Sequence, residues 1–366
     1  MRIRSVGVEE ELLLIDASQH RPIAAADRVV SHASRSHPDE EPPVEHELKQ
    51  EQIEIGSPAG TSMAALHAEL VRLRAAAAEA AEAEGSTIVA IATNPWKNSP
   101  TMTATPRYER ITGEFGLLAR QQLTCGQHVH VGIDSRAEGV GALDQLRGWL
   151  PVLTALSANS PFWQGQDTGY QSFRSVLWGR WPTAGPTEVF GNVACYDAVV
   201  AELVDSGTIL DKGMIYFDAR LSARYPTVEI RVADVCADVR DAALLAALAR
   251  ALVETAAGRW RAGEPAPEIR TSLLRVAAWR AARSGMSADL VDPRTGKPVA
   301  AWQLAAELVE QLGPALHRCG DEQLVADGLA RLRAHGTGAD RQRASFAVRG
   351  SLADVVADAA ARTLDG

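Results

Sequence analysis

Three short segments of the chain alternate polar and apolar residues in the same way. In Gly7-Val8-Glu9-Glu10-Glu11-Leu12-Leu13-Leu14-Ile15, one face of a strand carries Val6, Val8, Leu12 and Leu14. The other face carries Glu9 and Glu11 beside Leu13 and Ile15. Gln127-His128-Val129-His130-Val131-Gly132-Ile133 sets His128 and His130 against Val129, Val131 and Ile133. Thr227-Val228-Glu229-Ile230-Arg231-Val232-Ala233 sets Glu229 and Arg231 against Val228, Ile230 and Val232. Alternation over short runs rich in β-branched residues predicts strands. Each strand offers an apolar back to a core and two ionisable groups at a spacing of two. Paired carboxylates on one face repel unless a cation or a shared proton neutralises them. A single strand of this kind can be an edge with solvated glutamates. Three in one chain predict a sheet with one charged face that does chemistry.

Elsewhere the period lengthens. Up to about residue 60 the chain reads strand, polar loop (Ser31 to Pro43), strand. Thr61 or Ser62 caps a helix carrying Leu66, Leu70 and Leu73, and Gly85 marks its end. Thr87 to Thr93 reads as a buried strand, and Pro95, Pro100 and Pro106 as a loop. Arg107 to Gln122 reads as a helix, and Ala142 to Ala158 as another, with a kink at Pro151. Beyond the Glu229 strand the chain is alanine-rich, with helices expected at Asp241–Arg261, Glu268–Arg283, Ala300–Leu312, Asp321–Ala334 and Leu352–Thr363. This distribution predicts an α+β fold with an antiparallel or mixed sheet, not a βαβ succession. The expected organisation is a single catalytic domain over residues 1–366, sheet-bearing to about 236 and helical from about 237.

Composition narrows the class. With 366 residues, 46% apolar and 23% charged, the chain suits a soluble globular protein with a large core. A net charge of −9 argues against nucleic acid as the main partner. Cys125, Cys195, Cys236 and Cys319 lie far apart, so neither a disulfide framework nor a zinc site is indicated, and none sits in a setting that suggests a nucleophile. No signal-peptide stretch and no membrane-spanning run is evident, and a cytoplasmic protein is expected.

The candidate metal ligands are Glu9, Glu11, Glu47, Glu54, Glu229 and His128. Such an oxygen-rich set suits Mg²⁺ or Mn²⁺ better than Zn²⁺. Glu47 and Glu54 are seven residues apart, which fits one helix face; a strand would need a bulge, and a solvated charged stretch is the bland alternative. Glu51 is read as surface. His130 either hydrogen-bonds within the site or joins His128 in a metal-binding His-x-His pair. Arg231 is either an in-strand partner of Glu229 or a clamp for phosphoryl oxygens. Ala158 to Pro186 holds six of the nineteen aromatic residues together with Arg174 and Arg180. It reads as a functional loop or a packed subunit interface, with Arg174 the candidate for a substrate carboxylate or phosphate. Glu10 points away from its neighbours and has no assigned role.

Taken together, Gly-Val-Glu-Glu-Glu-Leu, Gln-Ile-Glu-Ile-Gly-Ser-Pro, Cys-Gly-Gln-His-Val-His-Val-Gly, Asn-Ser-Pro-Phe-Trp with Ser-Phe-Arg-Ser, and Val-Glu-Ile-Arg-Val-Ala-Asp resemble the type 2 glutamate–cysteine ligase family. Its members are also called carboxylate–amine ligases. The resemblance runs over nearly the whole chain. It implies a glutamine synthetase-like fold: a curved, mainly antiparallel sheet, helices on its convex side, and ATP with Mg²⁺ on its concave face. It implies Glu9, Glu11, Glu47, Glu54, His128 and Glu229 as metal ligands, with Glu54 and Glu229 close to the chemistry. Arg231 is implied as the phosphate contact, and His130 stands with Arg174 as a candidate substrate contact. The implied reaction joins glutamate, or another carboxylate, to cysteine, or another amine, through an acyl phosphate. The aromatic segment and the resemblance also point toward a homodimer.

Three rival readings stand beside this one. A guanidino kinase would use a related sheet to phosphorylate a guanidinium. A metal-dependent hydrolase would use His128 and His130 without ATP. A scaffold without catalysis would leave the full acidic set without purpose.

Overall fold

The computed structural model describes residues 3–36 and 44–365. The first alternating segment forms β1 (Val6–Asp16), the spine of the main sheet. The other strands of that sheet are β2 (Glu45–His46), β3 (Gln52–Gly56), β4 (Ser86–Val89) and β5 (Gly126–Gly132). Two short strands, β6 (Phe162–Trp163) and β7 (Gln166–Asp167), pair only with each other. The main sheet is completed by β8 (Ala219–Leu221) and β9 (Thr227–Asp234). A second separate hairpin, β10 (Asp289–Asp292) and β11 (Lys297–Ala300), lies within the helical part.

All pairings in the main sheet are antiparallel, in the order β2-β3-β1-β5-β9-β8. β1 has β3 on one edge; on the other, β5 covers Val6–Glu10 and β4 covers Leu13–Asp16. The three segments with charged faces thus become neighbours: β1, β5 and β9.

The first helices are α1 (Ala26–Ser36), α2 (Met63–Glu82), α3 (Pro106–Phe115), α4 (Leu117–Gln121), α5 (Arg136–Leu146) and α6 (Leu150–Ser157). Next come α7 (Phe173–Trp178), α8 (Val193–Asp205), α9 (Val239–Arg261) and α10 (Thr271–Ser284). The last are α11 (Ala301–Cys319), α12 (Glu322–His335), α13 (Gly338–Arg349) and α14 (Leu352–Thr363). The apolar backs of the strands pack under α5 and α9. Val6, Val8, Val129, Val131, Val228 and Ile230 share one core with Leu143, Leu146, Leu244, Leu248 and Leu252. A second core joins Leu12 and Leu14 to Val29 of α1, Leu73 and Ala77 of α2, and Ile88 of β4. α9 is buried on nearly every side, the state expected of a helix without a polar stripe.

The α+β class is borne out, but several boundaries move. The polar loop expected from Ser31 is helical as far as Ser36, because Val29 and Ala33 give α1 a buried face; residues 37–43 lie outside the described part. The helix expected over Arg107–Gln122 is two helices, broken where Gly116 takes a φ of 54°. Pro151 does not kink a continuous helix. It sits in the first turn of α6, after α5 and a short 3-10 turn, where its missing N–H costs nothing. α11 runs on through Pro314 to Cys319, ending at left-handed Gly320. The strand expected over Thr87–Thr93 is paired with β1 only over Ser86–Val89. No expectation covered α8, α13 or the β10–β11 hairpin.

Candidate active site

Strand register brings the charged faces together. Glu9 pairs with His128, His130 with Glu229, Glu229 with Arg220, and Glu11 with Glu54. A bulge in β9 opposite His128 brings in Arg231, whose guanidinium comes within 3.5 Å of His128 Nδ1. Glu9 lies between the two imidazoles, 3.2 Å from His128 Nδ1 and 3.2 Å from His130 Nε2. The His130 Nδ1 atom is 3.0 Å from the Thr227 hydroxyl, which fixes the ring. Arg220 donates to Glu229 through Nε at 2.7 Å, and Arg231 grips the same carboxylate from the other side.

Glu47 and Glu54 meet by neither route considered from sequence. The chain turns back between β2 and β3, with Glu45 opposite Glu54, and this hairpin carries Glu47 to the same place. Among the described residues, three sets offer ligand atoms within 4.8 Å of one another: Glu9, His130 and Glu229; Glu9, Glu54 and His128; Glu11, Glu47 and Glu54. Every expected metal ligand falls in one of them. His130 also falls in one, although it was expected to contact substrate.

This crowding has an electrostatic signature. Burial, and then the charges of Glu9, Glu47 and Glu11, push the Glu54 carboxyl well above the usual range. Burial and the Glu11 charge push Glu47 up to about 7. Glu9 goes the other way: burial raises it, but the hydrogen bonds of His128 and His130 outweigh burial and hold it far down. Glu229 is likewise opposed by burial and brought down to about 2 by Arg231 and Arg220. Burial, then the charge of Arg231, holds His128 below its ordinary value. The buried Nε2 atom of His128 has no hydrogen-bond partner. An orphaned imidazole nitrogen among repelling carboxylates fits a site built to receive cations.

The set lines a cleft of about 1100 Å³. Arg107, Tyr108, Trp178, Tyr216 and Arg220 line it as well. None of these five was singled out from the sequence for a role. For Arg220 the signal was faint: a three-residue strand whose two apolar residues flank one arginine.

Arg174 is placed elsewhere. Its side chain is 2% exposed and passes under Gly126, where a Cβ would clash with the guanidinium. It lines a second, smaller cavity and not the cleft. The Asn-Ser-Pro and Ser-Phe-Arg motifs of the aromatic segment are pinned to β9: Asp234 accepts from Asn159 N, Ser160 Oγ and Ser172 Oγ at 2.7–2.8 Å. Arg180 is exposed and donates to the Leu177 carbonyl. Glu51, read as surface, is buried; its carboxylate accepts from Thr101 N and closes the turn before β3. Glu10 is wholly buried on the reverse face, in a two-point ion pair with Arg74 at 2.6 and 2.9 Å.

The architecture is that of solved glutamate–cysteine ligases. The chain is similar to the glutamate–cysteine ligase of Francisella tularensis, solved in complex with AMP: TM-score 0.73 and 12% identity, over 100% of this chain and 89% of that one. It is also similar to a bifunctional glutathione synthetase from Pasteurella multocida, with TM-score 0.68 and 15% identity, over 99% of this chain and 52% of that one. At such identities the likeness concerns the fold.

Sequence comparison is more specific. The model of glutamate-cysteine ligase family 2 matches residues 5–358. A Frankia alni protein provisionally named glutamate–cysteine ligase 2-2 is 54% identical over 97% of this chain and 95% of its own. A Streptomyces coelicolor protein provisionally named glutamate–cysteine ligase 2 is 48% identical over 99% of both. The chain belongs to glutamate–cysteine ligase family 2. Among the described residues, no helix is long and apolar enough to cross a membrane.

Proposed function

We propose that this protein is an ATP-dependent carboxylate–amine ligase acting on small molecules in the cytoplasm. Its carboxylate substrate is glutamate and its amine is cysteine or a related compound. The observation that carries the reading is the meeting, in one cleft, of a repelling carboxylate cluster with two arginines. A hydrolase built on His128 and His130 would leave Glu11, Glu47, Glu54 and Arg231 without a joint purpose.

The residues divide by position. Glu9, Glu11, Glu47, Glu54, His128 and Glu229 would hold Mg²⁺ or Mn²⁺, and His130 would join Glu9 and Glu229. Bound there, such cations neutralise phosphate oxygens and lower the barrier to phosphoryl transfer. Arg231 presents a buried guanidinium to the transferring phosphoryl group. Arg220 anchors Glu229 from the far side, so Glu229 keeps one partner when Arg231 turns to substrate. In the reaction a carboxylate oxygen attacks the terminal phosphorus of ATP, and ADP leaves. The amine then attacks the acyl carbon, phosphate leaves, and an amide remains. Such chemistry needs positioning and charge neutralisation more than a covalent nucleophile.

Phosphate release tests the proposal. With ATP and Mg²⁺ we expect release only when glutamate and an amine are both present, with a product whose mass is that of the amide. Equal release without an amine would argue against the ligase. Amide hydrolysis without ATP would favour the hydrolase.

A further inference from the structure

Arg174 lies outside the cleft, yet it touches two of the strands that build it. Position 126 falls two residues before His128 on β5, so a side chain there would join the charged face. Gly126 leaves that place open, and the Arg174 guanidinium fills it: a Cβ at 126 would fall among its Nη2, Cζ and Nε atoms. The Gly126 N–H donates to Glu11 Oε2 at 2.6 Å. From the same spot Arg174 Nη2 donates to the Arg231 carbonyl at 3.4 Å, inside the β9 bulge that brings Arg231 to the site. The Trp178 ring meets both guanidiniums, with Arg174 Cζ 5.7 Å and Arg231 Cζ 5.9 Å from its centroid. The other end of the arginine is held as firmly. Ser160 Oγ accepts from Arg174 N at 3.0 Å and donates to Asp234 at 2.7 Å, and Asp234 is the ladder partner of Gly126. Arg174, Gly126, Asp234 and Ser160 thus close a ring of contacts across α7, β5 and β9. Stability alone does not call for this arrangement. An alanine on β5 with an apolar residue from α7 would fill the same space without burying a charge.

We propose that Arg174 is a positioning residue: it contacts no substrate, but fixes the Glu11 carboxylate through Gly126 and the Arg231 backbone through its carbonyl. One planar group thereby holds a metal ligand of β1 and the phosphoryl contact of β9 in a set relation. The inference rests on the ligase reading above and adds to it a residue outside the cleft. Without the guanidinium, the start of β5 is free to shift, and the Gly126 N–H no longer sets the rotation of the Glu11 carboxylate. The bulge at Arg231 loses its side-chain donor at the same time. Cation binding and turnover then suffer together, while the hold on glutamate does not.

Mn²⁺ makes the effect readable apart from turnover, because electron paramagnetic resonance separates the free from the bound ion. Arg174→Ala and Gly126→Ala, the second of which drives the guanidinium from its place, should each raise the Mn²⁺ Kd about tenfold. Each should also lower kcat for phosphate release about 10- to 100-fold and leave KM for glutamate within about threefold. Because both act through one contact, adding Gly126→Ala to Arg174→Ala should cost less than about a further twofold. Wild-type Mn²⁺ affinity and kcat in a folded Arg174→Ala protein would overturn the inference. So would a raised KM for glutamate with wild-type Mn²⁺ affinity, the mark of a direct substrate contact, and so would fully additive losses in the double variant. If Arg174→Ala does not fold, Gly126→Ala carries the test, and wild-type Mn²⁺ affinity there overturns the inference. A wild-type protein that binds Mn²⁺ but releases no phosphate from ATP with glutamate and any amine would remove the ligase reading instead. The Mn²⁺ comparison would still decide whether Arg174 positions Glu11.

Discussion

Glu9, Glu10 and Glu11 are consecutive residues of one strand, yet they live in opposite electrostatic worlds. Glu10 faces the core, where Arg74 meets it with two hydrogen bonds. The remaining Arg74 donors are taken by the carbonyls of Cys236, Ala237 and Thr363. That arginine thereby ties β1 and α2 to the end of β9 and to α14, and the charge is settled within the protein. On the other face, Glu11 stands with Glu47 and Glu54, and Arg231 is engaged by Glu229. There the charge is left unsettled. The contrast teaches that the same residue type on the same strand serves stability on one face and ligand binding on the other. The deciding factor is whether the chain supplies the counter-charge.

Removing the internal counter-charge should have the largest effect. Arg74→Met leaves Glu10 buried and unpaired, and we expect a loss of about 3–5 kcal/mol in denaturant unfolding. An unchanged midpoint would erase the contrast between the two faces. On the cleft side the sign should reverse. Glu54→Gln removes a carboxyl whose ionisation is opposed by burial and its neighbours, so the metal-free protein should gain about 1 kcal/mol while turnover drops at least about 100-fold, or about 2.7 kcal/mol of barrier. A variant that loses both stability and activity would show that Glu54 is structural.

The smallest effect sharpens the comparison through pH. The folded carboxyl of Glu47 is raised from 4.5 to about 7, so the folded state holds this proton more tightly than the unfolded chain. Its stabilising contribution is complete below about pH 4.5 and is lost as pH rises through about 7. In thermal melts with chelator, the advantage of Glu47→Gln over wild type should therefore grow between these pH values and then level off. Taking the difference cancels His128, whose depressed value works in the opposite direction over part of that range. Mg²⁺ should shrink the difference by stabilising wild type. A difference that stays flat with pH would place Glu47 outside the repelling cluster.

Much of the site could be read before any coordinates, for a local reason. Glu9 and Glu11, His128 and His130, and Glu229 and Arg231 share faces because a strand repeats every two residues. The approach of Glu47 to Glu54 was not legible, because a hairpin has no fixed spacing between residues that meet across it. Arg220 was missed because three residues of alternation are too few to stand out. Glu51 misled because it looks like any other charge in a charged run; only its bond to Thr101 N shows that it is buried. Arg174 was singled out for a substrate carboxylate or phosphate, yet it lies outside the cleft, in a second cavity, because of where α7 lands. The long helices after Asp238 were legible because alanine-rich segments free of helix breakers declare themselves within one element.

The sequence by itself determined which residues share a face, which faces are apolar and which family the motifs resemble, since all of these follow from local periodicity and short patterns. Tertiary structure alone decided the rest. The order β3-β1-β5-β9-β8 set Glu54, Glu11, Glu9, the two histidines, Glu229 and Arg220 side by side. The packing of α2 behind β1 gave Glu10 a partner 64 residues away. These contacts depend on which strand pairs with which and in what register. A spacing of two along the chain carries no information about that choice.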